Sequence, residues 1–142
     1  MGKINLKKIY ITRLKKISNS RGSVLHGLKK NDFSYKGFGE VYFSFVNYRK
    51  IKAWKYHKKM TCNLIVIIGS VRFVFSDGLN NFREEIVTSK KFTRVTIPPK
   101  IWFGFQGMSK KNLIINISNI NHEKQEILRK KQKEIKFNWR TI

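Results

Sequence analysis

Apolar and polar residues alternate along most of this chain, in short runs separated by turn residues. In "GEVYFSFVNY" (39–48), Val41, Phe43 and Phe45 fall on one face of an extended strand, and Tyr42, Ser44 and Val46 on the other. "GSVRFVFSDG" (69–78) repeats the pattern, with Val71, Phe73 and Phe75 set against Arg72, Val74 and Ser76. "KIYITRL", "KIKAWKYH", "KFTRVTI", "IWFGFQG" and "NLIINISN" are further strand-like runs. "NLIVII" (63–68) is continuously apolar, which predicts a strand buried on both faces. "DGLNN" and the Pro98-Pro99 pair are punctuation between strands.

The tail reads differently. "HEKQEILRKKQKEIKF" is charged, with Ile127, Leu128 and Ile135 as its apolar members, and a short helix is expected over "EKQEILRKKQ". "IKFNW" is expected to return as a strand that docks Phe137 and Trp139. There is no repeat, no low-complexity linker and no hinge. Roughly eight strands in 142 residues make one all-β domain, 1–142, of the jelly-roll or double-sheet barrel kind.

Composition adds a charge. There are 31 Lys and Arg against 8 Asp and Glu, for a net charge of +23. Such a surface attracts nucleic acids, anionic lipids and phosphorylated small molecules. The abundance of Lys, Asn, Ile and Phe, all with AT-rich codons, accounts for much of that excess without a nucleic-acid partner. The single cysteine, Cys62, excludes an intrachain disulfide and fits a reducing compartment. No apolar run near the start resembles a signal peptide, and "LIVII" is too short to span a bilayer. A soluble cytoplasmic protein without membrane association is expected.

Candidate chemistry centres on "IKAWKYHKKM" (51–60), where His57 lies among Lys52, Lys55, Lys58 and Lys59. Strand alternation puts Ile51, Ala53, Lys55 and His57 on one face and Lys52, Trp54, Tyr56 and Lys58 on the other. Neighbouring lysines disfavour the imidazolium, so His57 is expected to be neutral near pH 7, as a base must be. The alternative is a histidine on a basic rim. A metal site is not expected: His57 has lysines two residues away on each side, and His26 and His122 are remote from it in sequence.

Several blocks, in order, carry a resemblance: "SRGSVLHGLK", "GEVYFSFVNYRKIKAWKYHKK", "NLIVIIGSVRFVFSD", "VTIPPKIWFGFQG", "LIINISNINHEKQE" and "IKFNW". The chain resembles the cupins related to dTDP-4-dehydrorhamnose 3,5-epimerase. The resemblance implies a cupin double-stranded β-helix (a jelly-roll barrel), here with a short C-terminal helical segment. It implies a homodimer and an active site in the barrel mouth. It also implies a nucleotide-sugar substrate, of the dTDP-4-keto-6-deoxyhexose kind, used for cell-surface polysaccharide such as O-antigen, with no cofactor. His57 takes the position of the base that removes a proton beside the C4 ketone, and Arg21 lies in the block that holds the diphosphate. The family's other helpers are replaced. Trp54 stands for an arginine, Cys62 or Asn63 for the enolate-stabilising lysine, and Ile115 or Asn116 for the tyrosine acid. Lys131 stands near the place of the aspartate that orients the histidine, and Phe103 replaces a second histidine.

The expected site is therefore His57 and Lys55 as catalytic groups, with Arg21, Tyr42, Ser44, Asn63 and Asn116 as substrate-binding groups. Lys55 is the candidate for the lost enolate-stabilising cation. Two other readings stay open: a cupin that binds a nucleotide sugar without turning it over, and a basic nucleic-acid-binding protein, for which affinity would fall steeply with salt.

Overall fold

The computed structural model describes residues 3–140. After a 3-10 turn at Leu6–Lys8 come β1 (Tyr10–Arg13), β2 (Lys16–Asn19), β3 (Gly22–Leu25) and β4 (Glu40–Phe45). Then follow β5 (Ile51–His57), β6 (Cys62–Ile68), β7 (Ser70–Ser76) and β8 (Phe82–Thr88). The last strands are β9 (Thr93–Ile97), β10 (Trp102–Gly107), β11 (Leu113–Ser118) and β12 (Ile127–Arg129). Two five-stranded antiparallel sheets, in the orders β1-β9-β6-β11-β4 and β12-β5-β10-β7-β8, face one another as a jelly roll. Strands β2 and β3 form a separate hairpin.

The core lies between the sheets. Val71, Phe73 and Phe75 of β7 meet Leu64 and Val66 of β6, Val95 and Ile97 of β9, and Phe103 and Phe105 of β10. The alternation in "GSVRFVFSDG" sets these three residues of β7 on one face, and the structure turns that face to the interior. A second cluster covers the outside of the other sheet. There Trp54, Tyr56, Val74 and Trp102 are capped by Ile135, Phe137 and Trp139 from the tail.

Three expectations change. No helix forms in the tail: it has 3-10 turns at Lys124–Glu126 and Gln132–Glu134, with β12 between them. Pairing with the open edge of β5 supplies its backbone partners, and the pleat sends Ile127 to the side of His57 and Leu128 to the side of Tyr56. "IKFNW" docks Phe137 and Trp139 without forming a strand. Four of the twelve strands, β2, β3, β8 and β12, were not legible as strands in the sequence. Strand β8 is a charged edge strand, with Glu84 bound to buried Arg72 (2.6 Å) and Arg83 bound to Glu85 (3.1 Å).

The barrel has an open side and a closed side. Between β1 and β8, Arg83 donates to the carbonyls of Leu6 and Ile9 (2.9 Å each) and seals the gap. On the other side, edge strand β4 of one sheet faces β5 and β12 of the other. The functional candidates gather there.

Candidate active site

Strand β4 turns Tyr42 and Ser44 inward and leaves Val41, Phe43 and Phe45 exposed (42, 59 and 68%). A small cavity is lined by Tyr42, Ser44, Lys55, His57, Leu64, Phe103, Phe105, Ile114 and Asn116. Its lining combines four apolar walls with five polar groups, and its volume of about 20 Å³ leaves room for about one water molecule.

His57 ends β5, and its ring is 3% exposed. Nδ1 donates to Oε2 of Glu126 at 2.7 Å. The other carboxylate oxygen, Oε1, accepts from the backbone N–H of Lys59 (2.9 Å) and of Met60 (2.8 Å). These bonds fix Glu126 against the loop that follows β5. They also fix the imidazole as the Nδ1–H tautomer, with Nε2 left for the cavity. The ring stacks on Phe103 at a centroid distance of 5.9 Å. Phe103 is thus an apolar wall that holds the imidazole in place.

Burial lowers the pKa of His57, and this outweighs the opposing pull of Glu126; Lys55 adds to the depression. The imidazole is neutral near pH 7 chiefly because it is buried, and the lysine neighbours are secondary. Burial pushes the Glu126 carboxyl up, but its bonds from His57, Lys59 and Met60 prevail and hold it ionised below its ordinary value.

Asn116 on β11 and Tyr42 on β4 are cross-strand partners. Nδ2 of Asn116 donates to the Tyr42 hydroxyl at 2.7 Å, which leaves the phenolic proton free to be donated elsewhere. Burial raises the Tyr42 pKa well above its ordinary value and keeps the phenol protonated. Asn116 Oδ1 is buried and has no partner among the described residues. As a carbonyl oxygen it can accept a hydrogen bond from a hydroxyl. Lys55 is half-buried, and burial, with Arg129 next, lowers its pKa.

The face assignment made from alternation fails in the middle of β5. A bulge against β10 pairs Phe103 with Lys55 but Phe105 with Lys52. Both phenylalanines point into the core, so Lys52 joins Lys55 on the inner side. Ile51 and Ala53 pack instead on the outer aromatic cluster. Gly104 lies opposite the bulge, where a Cβ would collide with the Cβ of Ala53. Lys52 Nζ then reaches the Phe45 carbonyl at 2.8 Å, tying β5 to β4.

Five of the seven expected site residues line the cavity: His57, Lys55, Tyr42, Ser44 and Asn116. Two do not. Asn63 points to the outer face of its sheet, where Nδ2 donates to the Ser34 carbonyl (3.0 Å) and Oδ1 accepts from Thr96 (2.7 Å). Its neighbour Cys62 faces inward but is sealed in the core, where burial raises the thiol pKa to about 12. Arg21 stands exposed in the turn of the β2–β3 hairpin, outside the cavity lining. Sequence reasoning missed Glu126 and the approach of His122, whose ring meets Tyr42 edge-on at 5.8 Å. Glu126 lies in a charged tail that gave no sign of folding inward, apart from the apolar Ile127 beside it. Among the described residues no three His, Cys, Asp or Glu side chains converge as a metal site.

Comparison with known proteins gives a family match and similar solved structures. Residues 7–138 match the family described as WxcM-like, C-terminal (FdtA). The crystal structure of a dTDP sugar isomerase from Desulfovibrio desulfuricans G20 is 30% identical, with a TM-score of 0.86 over 94% of this chain and 91% of that one. The sugar 3,4-ketoisomerase QdtA from Thermoanaerobacterium thermosaccharolyticum, solved with TDP, shares the fold at 16% identity, with a TM-score of 0.78 over 92% of this chain and 94% of its own. The TDP-quinovose 3,4-ketoisomerase WlaRB from Campylobacter jejuni does so at 18%, with a TM-score of 0.78 over 92% and 98%. No curated protein sequence matches the chain.

Proposed function

Since the chain belongs to the WxcM-like, C-terminal family, we propose that it is a nucleotide-sugar isomerase or epimerase that abstracts a proton beside the ketone of a dTDP-4-keto-6-deoxyhexose. The observation that carries the reading is the buried His57–Glu126 pair, with Nε2 turned to a cavity that also holds Tyr42, Lys55 and Asn116. The proteins of this fold named above, a dTDP sugar isomerase and two 3,4-ketoisomerases, support the substrate class.

In this mechanism the Nε2 lone pair takes the proton from the carbon next to the ketone. The C–H electron pair becomes the enolate double bond, and the ketone oxygen takes the negative charge. The Lys55 ammonium lies on the same face and stabilises that oxygen. Glu126 holds the imidazole in the base-competent tautomer and stabilises the imidazolium that forms. The Tyr42 phenol returns a proton to carbon, and Asn116 Oδ1 accepts from a sugar hydroxyl. Ser44 adds a further hydroxyl to the wall.

Incubation with dTDP-4-keto-6-deoxyglucose in heavy water, followed by proton NMR, tests this reading. Deuterium should enter at a carbon adjacent to the ketone, and His57→Asn should abolish the exchange. Binding of the sugar nucleotide without exchange in the wild type would make the protein a non-catalytic binder.

The reading includes a second copy of this chain as partner. Val41, Phe43 and Phe45 continue on the outer face of their sheet into Ile115 and Ile117 of β11, an apolar surface that favours burial. In a homodimer the exposed hairpin with Arg21 would reach beyond its own barrel. The proposed setting is cytoplasmic, where such sugars are prepared for cell-surface polysaccharide.

A further inference from the structure

We infer that Arg129 is the residue that grips the diphosphate of the substrate at the open side of the barrel, an assignment that rests on the nucleotide-sugar reading above. Strand β12 is the edge of its sheet and pairs with β5 in register, Ile127 opposite His57 and Arg129 opposite Lys55. Directly paired residues on antiparallel strands point to the same side of a sheet. Arg129 therefore shares the inner face with Lys55 and His57, whereas Leu128 and Lys130 face outward. Lys130 has its ammonium 4.8 Å from the ring centre of Trp102 in the outer cluster. Unlike Lys55, Arg129 is exposed, at the rim.

Two like charges directly opposite one another on paired strands repel. Nothing nearby relieves them. Among the described residues neither Arg129 nor Lys55 has a carboxylate within ion-pair distance. Glu126, the acidic residue of this neighbourhood, is occupied by His57 and two backbone amides. The third cation on this side, Lys52, is spent on the Phe45 carbonyl. Arg129 is thus a free planar fork beside the cavity, suited to two phosphate oxygens at once.

Spacing agrees. Arg129 lies two residues along the strand from the position opposite His57, about 7 Å at the usual rise. That is of the order of one hexose ring, the distance that separates a glycosidic phosphate from the ring carbons on the far side. A sugar with its reacting carbon at His57 would place its anionic end toward Arg129 at the rim.

Isothermal titration calorimetry on the full-length protein with dTDP and with inorganic pyrophosphate tests this. Arg129→Ala should weaken both ligands roughly ten- to hundredfold, the range for a lost charge-assisted hydrogen-bonding group. Arg129→Lys should recover part of the loss. Lys130→Ala, which removes the same charge from the opposite face, should stay within about twofold of the wild type. An Arg129→Ala protein that binds dTDP within twofold of the wild type overturns the assignment and leaves the proposed function standing. A wild type that binds pyrophosphate through Arg129 but no dTDP-4-keto sugar overturns the proposed function and keeps the anion grip. Binding of neither dTDP nor pyrophosphate by the wild type overturns both.

Discussion

Glu126→Gln isolates the part of the mechanism that depends on a proton's position. The substitution keeps the size of the side chain and removes its charge. In the native protein Oε1 accepts from the N–H groups of Lys59 and Met60, at 2.9 and 2.8 Å, and Oε2 accepts from His57 Nδ1 at 2.7 Å. The two amides must keep an oxygen, so the glutamine carbonyl is retained on their side. Its NH2 group then faces Nδ1, which becomes an acceptor, and the imidazole proton moves to Nε2. A ring with Nε2–H toward the cavity cannot take a proton from carbon. To regain the working tautomer, the ring must give up a buried hydrogen bond, roughly 1 to 3 kcal/mol. The transition state also loses the anionic partner of the imidazolium. Together these should lower kcat by about 10² to 10⁴, the range for general base catalysis, with KM nearly unchanged. Stability should fall by only about 1 to 2 kcal/mol, since all three bonds are remade in neutral form. Glu126→Ala is harsher, because it leaves two backbone amides near Met60 without an acceptor, about 2 to 5 kcal/mol. The assay is deuterium incorporation beside the ketone, paired with urea unfolding. A Glu126→Gln protein that folds normally and exchanges within threefold of the wild type would refute the base assignment.

The other predictions follow from the same contacts. The His57 pKa is lowered in the fold, so kcat/KM should be flat above about pH 6.5 and fall only as acid protonates the base. Unfolded histidine binds a proton more readily than the buried one. Stability should therefore be complete above pH 6.5 and decline below it, with a second loss below about pH 4.5 as Glu126 protonates; urea midpoints across pH measure this. Tyr42→Phe should lower turnover by about tenfold or more while changing stability by roughly 1 kcal/mol, since Asn116 loses one acceptor; retained kcat would remove the phenol from the mechanism. Gly104→Ala should destabilise by about 1 to 3 kcal/mol, because the new methyl group meets Ala53 across the bulge; an unchanged melting curve would contradict that packing. Phe43→Glu should leave the fold intact and yield monomers in sedimentation velocity, and a wild-type monomer at high concentration would refute the dimer.

Reading a strand by alternation succeeds where the strand is regular and fails where it bulges. Period two alone sets Val71, Phe73 and Phe75 on one face, and β7 keeps that period along its length. In β5 the same rule put Lys52 with Trp54, yet a single bulge opposite Gly104 moved it to the side of Lys55. The glycine was visible in "IWFGFQG", but its role depended on which strand would lie beside it. The β2–β3 hairpin and β12 were hidden for a related reason: their apolar residues are few, and pairing with a neighbour rather than burial makes them strands.

The candidate site was only half legible, because its members are joined across sheets and not along the chain. His57 and Glu126 are 69 residues apart, and Tyr42 and Asn116 are 74 apart. A comparison position by position found the expected tyrosine replaced by Ile115 or Asn116 and the orienting aspartate replaced near Lys131. Tyr42 lies in register with Asn116, so a phenol on β4 can occupy the volume that a phenol on β11 would fill. Glu126 reaches His57 from the turn before β12, upstream of Lys131, because β12 locks that turn against the end of β5. In a barrel the inner wall is shared by adjacent strands, so a catalytic group can move to the next strand and still face the same atom. What the proposed reaction needs is an acid, a base and a cation around one cavity, and here β4, β5 and their neighbours bring Tyr42, His57 and Lys55 to the same one.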